Sequence, residues 1–170
     1  LSQKQALEVR RRAEELKTRV TPEVPAGIKG ELRPYQVEGF HFLAYLSANH
    51  FGGILADDMG LGKTLQALTW LAWLRDQPDR ELKPSMVSCP KSVMENWRNE
   101  ALRFMPGLKV RLWQGGEGAE LKKELNESDL FVFNYSQLRG LGRPSARSTG
   151  KPPSWTRASI SRIRTRKPRR

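Results

Sequence analysis

Residues Gly53-Ile54-Leu55-Ala56-Asp57-Asp58-Met59-Gly60-Leu61-Gly62-Lys63-Thr64 decide how this chain is read. The apolar run from Gly52 to Ala56 predicts a buried strand that turns into a glycine-containing loop. The loop closes on Gly-Lys-Thr and enters an apolar-periodic helix carrying Leu65, Leu68, Leu71 and Ala72. Strand, glycine loop and helix, in that order, are the context of a phosphate-binding loop. Glycines let backbone N–H groups close around phosphate oxygens, and the helix N-terminus adds partial positive charge. Lys63 reaches the outer phosphates, and the Thr64 hydroxyl is placed to ligate Mg2+. The strict motif has glycine where Asp57 stands, so an ordinary glycine turn with a surface lysine is the competing reading. The flanking strand and helix favour the nucleotide site.

Composition bounds the rest. A length of 170 residues fits one domain, or a piece of a larger one. One cysteine, Cys89, excludes a disulfide scaffold and a Cys-rich metal site, and suits a reducing, intracellular compartment. No apolar run approaches membrane-spanning length, and no signal peptide opens the chain. The first residue is Leu1, not Met, which is consistent with a start further upstream.

The formal net charge of +12 suggests a nucleic-acid partner until it is mapped along the chain. Of 30 Lys and Arg, 10 lie from Arg143 onward, where no Asp or Glu occurs. The preceding 142 residues hold 20 basic against 18 acidic. The basic character therefore belongs to the tail, and the part with apolar periodicity is nearly neutral.

Residues 3 to 20 read as an amphipathic helix with Ala6, Val9, Ala13, Leu16 and Val20 on one stripe. Arg10-Arg11-Arg12 could touch DNA, and a solvated face is the preferred reading. The stretch from Thr21 to Gly27 reads as a linker, so residues 1–27 are set apart from a domain at 28–142 and a tail at 143–170. Pro34 is well placed to start a helix with Val37, Phe40, Leu43, Ala44 and Leu46 on its apolar face. Gln36 sits in its first turn. An amide there offers the donor and acceptor that an adenine edge requires, and a solvent-facing helical glutamine is the equal alternative. His41 and His50 have no partner at metal-ligand spacing and receive no role.

Beyond the phosphate-loop helix, Ser85 to Cys89 is a short apolar strand stopped by Pro90. A helix follows from Ser92 with Val93, Trp97, Ala101 and Phe104 at helical spacing. Leu108, Val110 and Leu112 then alternate with Lys109, Arg111 and Trp113, a half-exposed strand. A short helix carries Leu121 and Leu125, and Asp129 to Asn134 is another buried strand. Alternating strands and helices imply an α/β fold, a mainly parallel sheet with helices on both faces. In such sheets ligands gather at the carboxyl ends of the strands.

Four stretches now come into register: Leu32-Arg33-Pro34-Tyr35-Gln36-Val37-Glu38-Gly39; Asp57 to Thr64; Cys89-Pro90-Lys91-Ser92-Val93 with Asn96-Trp97; and Asn134-Tyr135-Ser136. Together they resemble the Swi/Snf-type family of superfamily-two ATPases, helicase-related motors that translocate along double-stranded DNA. The likeness covers about residues 28 to 140. That family carries an acidic residue at the position of Asp57. The resemblance implies the first part of a RecA-like phosphate-loop lobe, with ATP and Mg2+ as cofactors and double-stranded DNA as partner. It assigns the adenine to Gln36, the phosphates to Gly60, Gly62 and Lys63, and Mg2+ to Thr64, with Asp58, Met59 and Leu61 completing the nucleotide-binding loop. It makes Lys91, Ser92, Tyr135 and Ser136 DNA-contact candidates, where hydroxyls and backbone N–H groups hold a phosphate strand. It places such a protein in the nucleus of a eukaryote, or in the cytoplasm and nucleoid of a bacterium. Trp97 and Phe104 are read as core, not as base-stacking platforms.

Hydrolysis in that family also needs an acidic motif after the next strand and arginines from a second RecA-like lobe. Residues 143 to 170 contain no Asp or Glu, so this chain is expected to bind ATP without turning it over. The alternatives are a small basic protein binding nucleic acid through its tail, and an unrelated phosphate-loop NTPase. The tail also reads as a frameshift of the family's acidic motif. Regrouping the codons of Trp155 to Thr165 from one nucleotide earlier gives Asp, then permits Glu-Gly-Gln-Tyr-Ile-Lys-Asn-Pro-Asp. A tail so poor in apolar residues is expected to be disordered.

Overall fold

The computed structural model describes residues 19–58, 60–78, 84–115 and 118–137, with backbone alone at 118, 119, 160 and 161. The expected helix at residues 3 to 20 therefore lies almost wholly outside the described residues, and so does most of the tail. Four helices alternate with strands: α1 (Pro34–Ala48), α2 (Lys63–Arg75), β1 (Ser85–Cys89), α3 (Lys91–Phe104), β2 (Val110–Leu112), α4 (Gly118–Asn126), β3 (Leu130–Asn134) and β4 (Ile160–Ser161).

The strands form one sheet in the order β2-β3-β1-β4, and every pairing is parallel. Parallel neighbours need a crossover, and α3 and α4 supply it. Side-chain alternation then builds two cores from the same strands. Val87, Cys89, Leu130 and Val132 point to one face, against Phe40, Leu68, Leu71, Trp97 and Ala101 of α1, α2 and α3. Met86, Phe131 and Phe133 point to the other, against Leu121 and Leu125 of α4. Helices thus cover both faces, which is why β3 reads as an unbroken apolar run.

Trp113 departs from its expected place. Period-two alternation puts it on the exposed side of β2 with Arg111, yet it is buried against Phe131 at a ring separation of 5.7 Å. The face assumed to be wet is the second core, covered by α4.

Two further expectations are corrected. Residues 52 to 56 do not form a strand, and Ile54 is 69% exposed. A strand exists only through a partner, and among the described residues none runs beside this segment. The tail, in turn, is not without regular structure at every position: Ile160–Ser161 pairs in parallel with Met86 and Val87. The outer edge of β1 offers unpaired backbone groups, and a β-branched residue is suited to take them.

Candidate nucleotide site

Three elements meet at the glycine loop. The loop enters α2 through Gly62, whose φ of 72° lies in the left-handed region that glycine alone adopts freely. A side chain there would also strike Gln36, since a Cβ would stand 2.4 Å from its Nε2. Lys63 follows at the first position of α2 and is buried. Its ammonium donates to the carbonyls of Asp57, at 2.9 Å, and of Asp58. Two acceptors for three N–H donors leave the cation with capacity for an anion. Around Gly60 the space is open. A buried cation, a helix N-terminus and an open loop fit a phosphate chain. Met59 lies outside the described residues.

Gln36 is not a solvent-facing helical residue. It is buried, its Oε1 accepts from the Arg33 N–H at 3.0 Å, and its Nε2 donates to the Leu61 carbonyl at 3.2 Å. An amide has two N–H donors and two acceptor sites, so one of each remains. The first turn of α1 thereby reaches the phosphate loop directly.

The Thr64 hydroxyl lies close enough to the Glu100 carboxylate of α3 to favour its charged form. Burial pushes the Glu100 carboxyl above its ordinary 4.5, while the Thr64 hydroxyl and the Arg103 guanidinium act the other way. Thr64 stands in the first turn of α2, directly after Lys63, and a hydroxyl oxygen there is a hard donor of the kind that suits Mg2+. Among the described residues no group of three His, Cys, Asp or Glu could hold a metal ion.

Sequence reasoning missed Gln66. It is fully buried one turn into α2, and its Nε2 donates to the Leu61 carbonyl at 3.3 Å and to Asp57 Oδ2 at 3.4 Å. Its Oε1 has no hydrogen-bond partner among the described residues. Leaving a buried acceptor unpaired costs about 1–3 kcal/mol. The available signal was a glutamine one turn after Lys63 in a helix whose remaining residues are mostly apolar. Asp57 is explained by the same contact, because its side chain receives the Gln66 amide instead of leaving the position to glycine.

Lys91 and Ser92, exposed, open α3 directly after β1. Tyr135 and Ser136, also exposed, follow β3. The register pairs Cys89 with Asn134, so the two segments leave the sheet side by side. Asn134 Oδ1 accepts from the N–H groups of Ser136 and Gln137, and Gln137 Oε1 accepts from the Asn134 N–H, a reciprocal capping box. Gln137 Nε2 donates to the Trp113 carbonyl at 2.8 Å, fixing the turn to the end of β2. The N–H groups of Ser136 and Gln137 are thus used internally, and the exposed side chains are what this ledge offers a partner. Trp97 lies in the core, and Phe104 packs against that core beneath the Arg103 guanidinium at 4.9 Å.

A parallel sheet between helices, with a glycine loop and buried lysine at a helix N-terminus, is the architecture of the RecA-like phosphate-loop folds. Residues 35–162, a range that takes in β4, match the SNF2-related domain, and the chain belongs to that family. Helicase SWR1 of Saccharomyces cerevisiae is 43% identical over 110 residues, covering 64% of this chain and 7% of that protein. The ISWI chromatin-remodeling complex ATPase ISW1 of the same yeast is 42% identical over 118 residues, covering 66% and 10% respectively. The Sulfolobus solfataricus SWI2/SNF2 ATPase core solved in complex with double-stranded DNA superimposes with a TM-score of 0.61 at 36% identity, covering 72% of this chain and 25% of that one. The chain thus spans a tenth or less of these curated relatives and a quarter of the solved core. No helix among the described residues is long and apolar enough to cross a membrane.

Proposed function

We propose that this chain is the ATP-binding part of an ATP-dependent motor that moves along double-stranded DNA, and that alone it binds ATP without hydrolysing it. The observation that carries the reading is the Lys63 ammonium, buried at the N-terminus of α2 with the Asp57 and Asp58 carbonyls as its partners among the described residues. On this reading Asp58 to Gly62 and Lys63 hold the phosphates, and the remaining donor and acceptor of Gln36 take the adenine edge. Thr64 ligates Mg2+, which when bound supplies charge neutralisation between phosphate oxygens. Lys91, Ser92, Tyr135 and Ser136 receive a DNA backbone, which positions without reading sequence. Such a motor works where DNA is, in the nucleus of a eukaryote or the nucleoid of a bacterium.

Calorimetry with Mg-ATP tests it: the unmodified chain binds, and Lys63→Ala does not. Unchanged affinity in Lys63→Ala would count decisively against the site. The basic tail supports a second reading, a nucleic-acid binder acting through residues 143 to 170. Salt-dependent DNA binding that vanishes on deleting those residues would favour it. We also keep the frameshift origin of the tail as a proposal. Encoding DNA around codons 135 to 170 that cannot be shifted into the acidic motif would refute it.

A further inference from the structure

We propose that Gln66 is a positioning residue of the nucleotide site, its buried amide holding the Leu61 carbonyl jointly with Gln36 and so fixing the phosphate loop to α1. The inference rests on the nucleotide reading above and adds to it a residue with no direct place at the ligand.

The geometry is specific. Leu61 O accepts from Gln36 Nε2 at 3.2 Å and from Gln66 Nε2 at 3.3 Å, so two amides from two helices converge on one carbonyl. A carbonyl oxygen has two acceptor sites, and both are taken. Leu61 stands between Gly60 and Gly62, where the loop has least conformational restraint of its own. The second reach of Gln66, to Asp57 Oδ2, ties the start of the loop to its middle. The same Asp57 offers its carbonyl to Lys63, so a displaced Gln66 would disturb the lysine as well.

Two observations say that this placement is not incidental packing. Gln66 Oε1 is buried without a hydrogen-bond partner among the described residues, a disadvantage that an apolar side chain of similar size would remove. Nor is the amide free to shift. It lies against Gly39 of α1, where a Cβ would stand 1.8 Å from Oε1. A glycine in the middle of a helix is itself unfavourable, yet here it makes room for the amide.

The test uses the full chain and compares affinity with stability. Gln66→Leu removes both donations while keeping volume. It should weaken Mg-ATP binding about tenfold, since one or two hydrogen bonds that shape the loop are lost. Inorganic tripolyphosphate should weaken equally, because the loop and not the adenine contact is disturbed. The thermal midpoint should hold or rise, because the orphaned acceptor is gone. Gly39→Ala provides a second arm: the added methyl displaces the amide and should lower the same affinities while favouring the helix. Gln66→Leu that binds both ligands like the unmodified chain would overturn the inference and leave the nucleotide site standing. So would affinity that falls only in step with the folded fraction. Failure of the unmodified chain to bind either ligand would overturn the nucleotide reading itself, and this inference with it.

Discussion

The ammonium of Lys63 donates to the carbonyl of Asp57, six residues upstream, at 2.9 Å, so the loop is drawn closed by the side chain that a phosphate would engage. Residues 57 and 58 are exposed, and water can take over both carbonyls once the ammonium is removed. Lys63→Ala should therefore lose nucleotide binding while costing about 1 kcal/mol or less of stability. Chemical denaturation checks it, and a collapsed midpoint would mean that the binding loss is merely unfolding.

Gly62→Ala should be worse for the fold than Lys63→Ala. The left-handed backbone costs a non-glycine residue roughly 1 kcal/mol or more, and the new methyl would stand 2.4 Å from Gln36 Nε2. Loss of nucleotide affinity together with a lower denaturation midpoint is the expected pair. A variant as stable as the parent would show that the loop does not need this conformation.

Turnover should be absent. Residues 143 to 170 contain no Asp or Glu to follow the last central strand, and the chain covers only 25% of the solved ATPase core. In phosphoryl transfer, positioning and charge stabilisation supply nearly all the catalysis. Phosphate release from ATP should stay at the blank level with or without duplex DNA. A rate that climbs on adding duplex would contradict this.

Glu100 gives a pH dependence with a definite sign. Its folded carboxyl lies above the ordinary 4.5 through burial, so the folded state binds that proton more tightly than the unfolded state. Stability from this group is then greatest at low pH and declines as pH rises from about 4.5 through the folded value. Glu100→Gln should be more stable than the parent at pH 8, with the advantage shrinking as pH falls toward the ordinary 4.5. Urea unfolding at several pH values measures it; an advantage that grows on acidification has the wrong sign.

Cys89 should resist modification. It is buried in β1, and burial pushes its thiol up to about 11. Alkylation by iodoacetamide at pH 8 should be negligible until denaturant is added, because the thiolate is the nucleophile. Rapid labelling of the native chain would show that the β1 edge opens.

Much of this was legible because periodicity and punctuation agreed. Pro90 marks the end of β1 and Pro34 the start of α1, and the apolar run Leu130 to Phe133 could only be a strand covered on both faces. The glycine loop and Lys63 were readable because their chemistry is local. What escaped was long-range. Trp113 faces a core that exists only once α4 folds over the sheet, and residues 52 to 56 carry a strand's composition without a strand beside them. Gln66 was hidden because a buried polar side chain looks like any helical glutamine until its partners across the loop are known. Gln137 was within reach, since Asn134 and Gln137 have capping-box spacing.

The pairing of Cys89 with Asn134 has a mechanical side. β1 and β3 run parallel through five successive pairs and end flush, so the exposed segments beginning at Lys91 and Tyr135 leave at the same level. A pull on either segment along the strand axis loads all five pairs in shear, instead of peeling them one at a time. With Gln137 fastening the second turn to the end of β2, the ledge transmits force into the sheet as one stiff body.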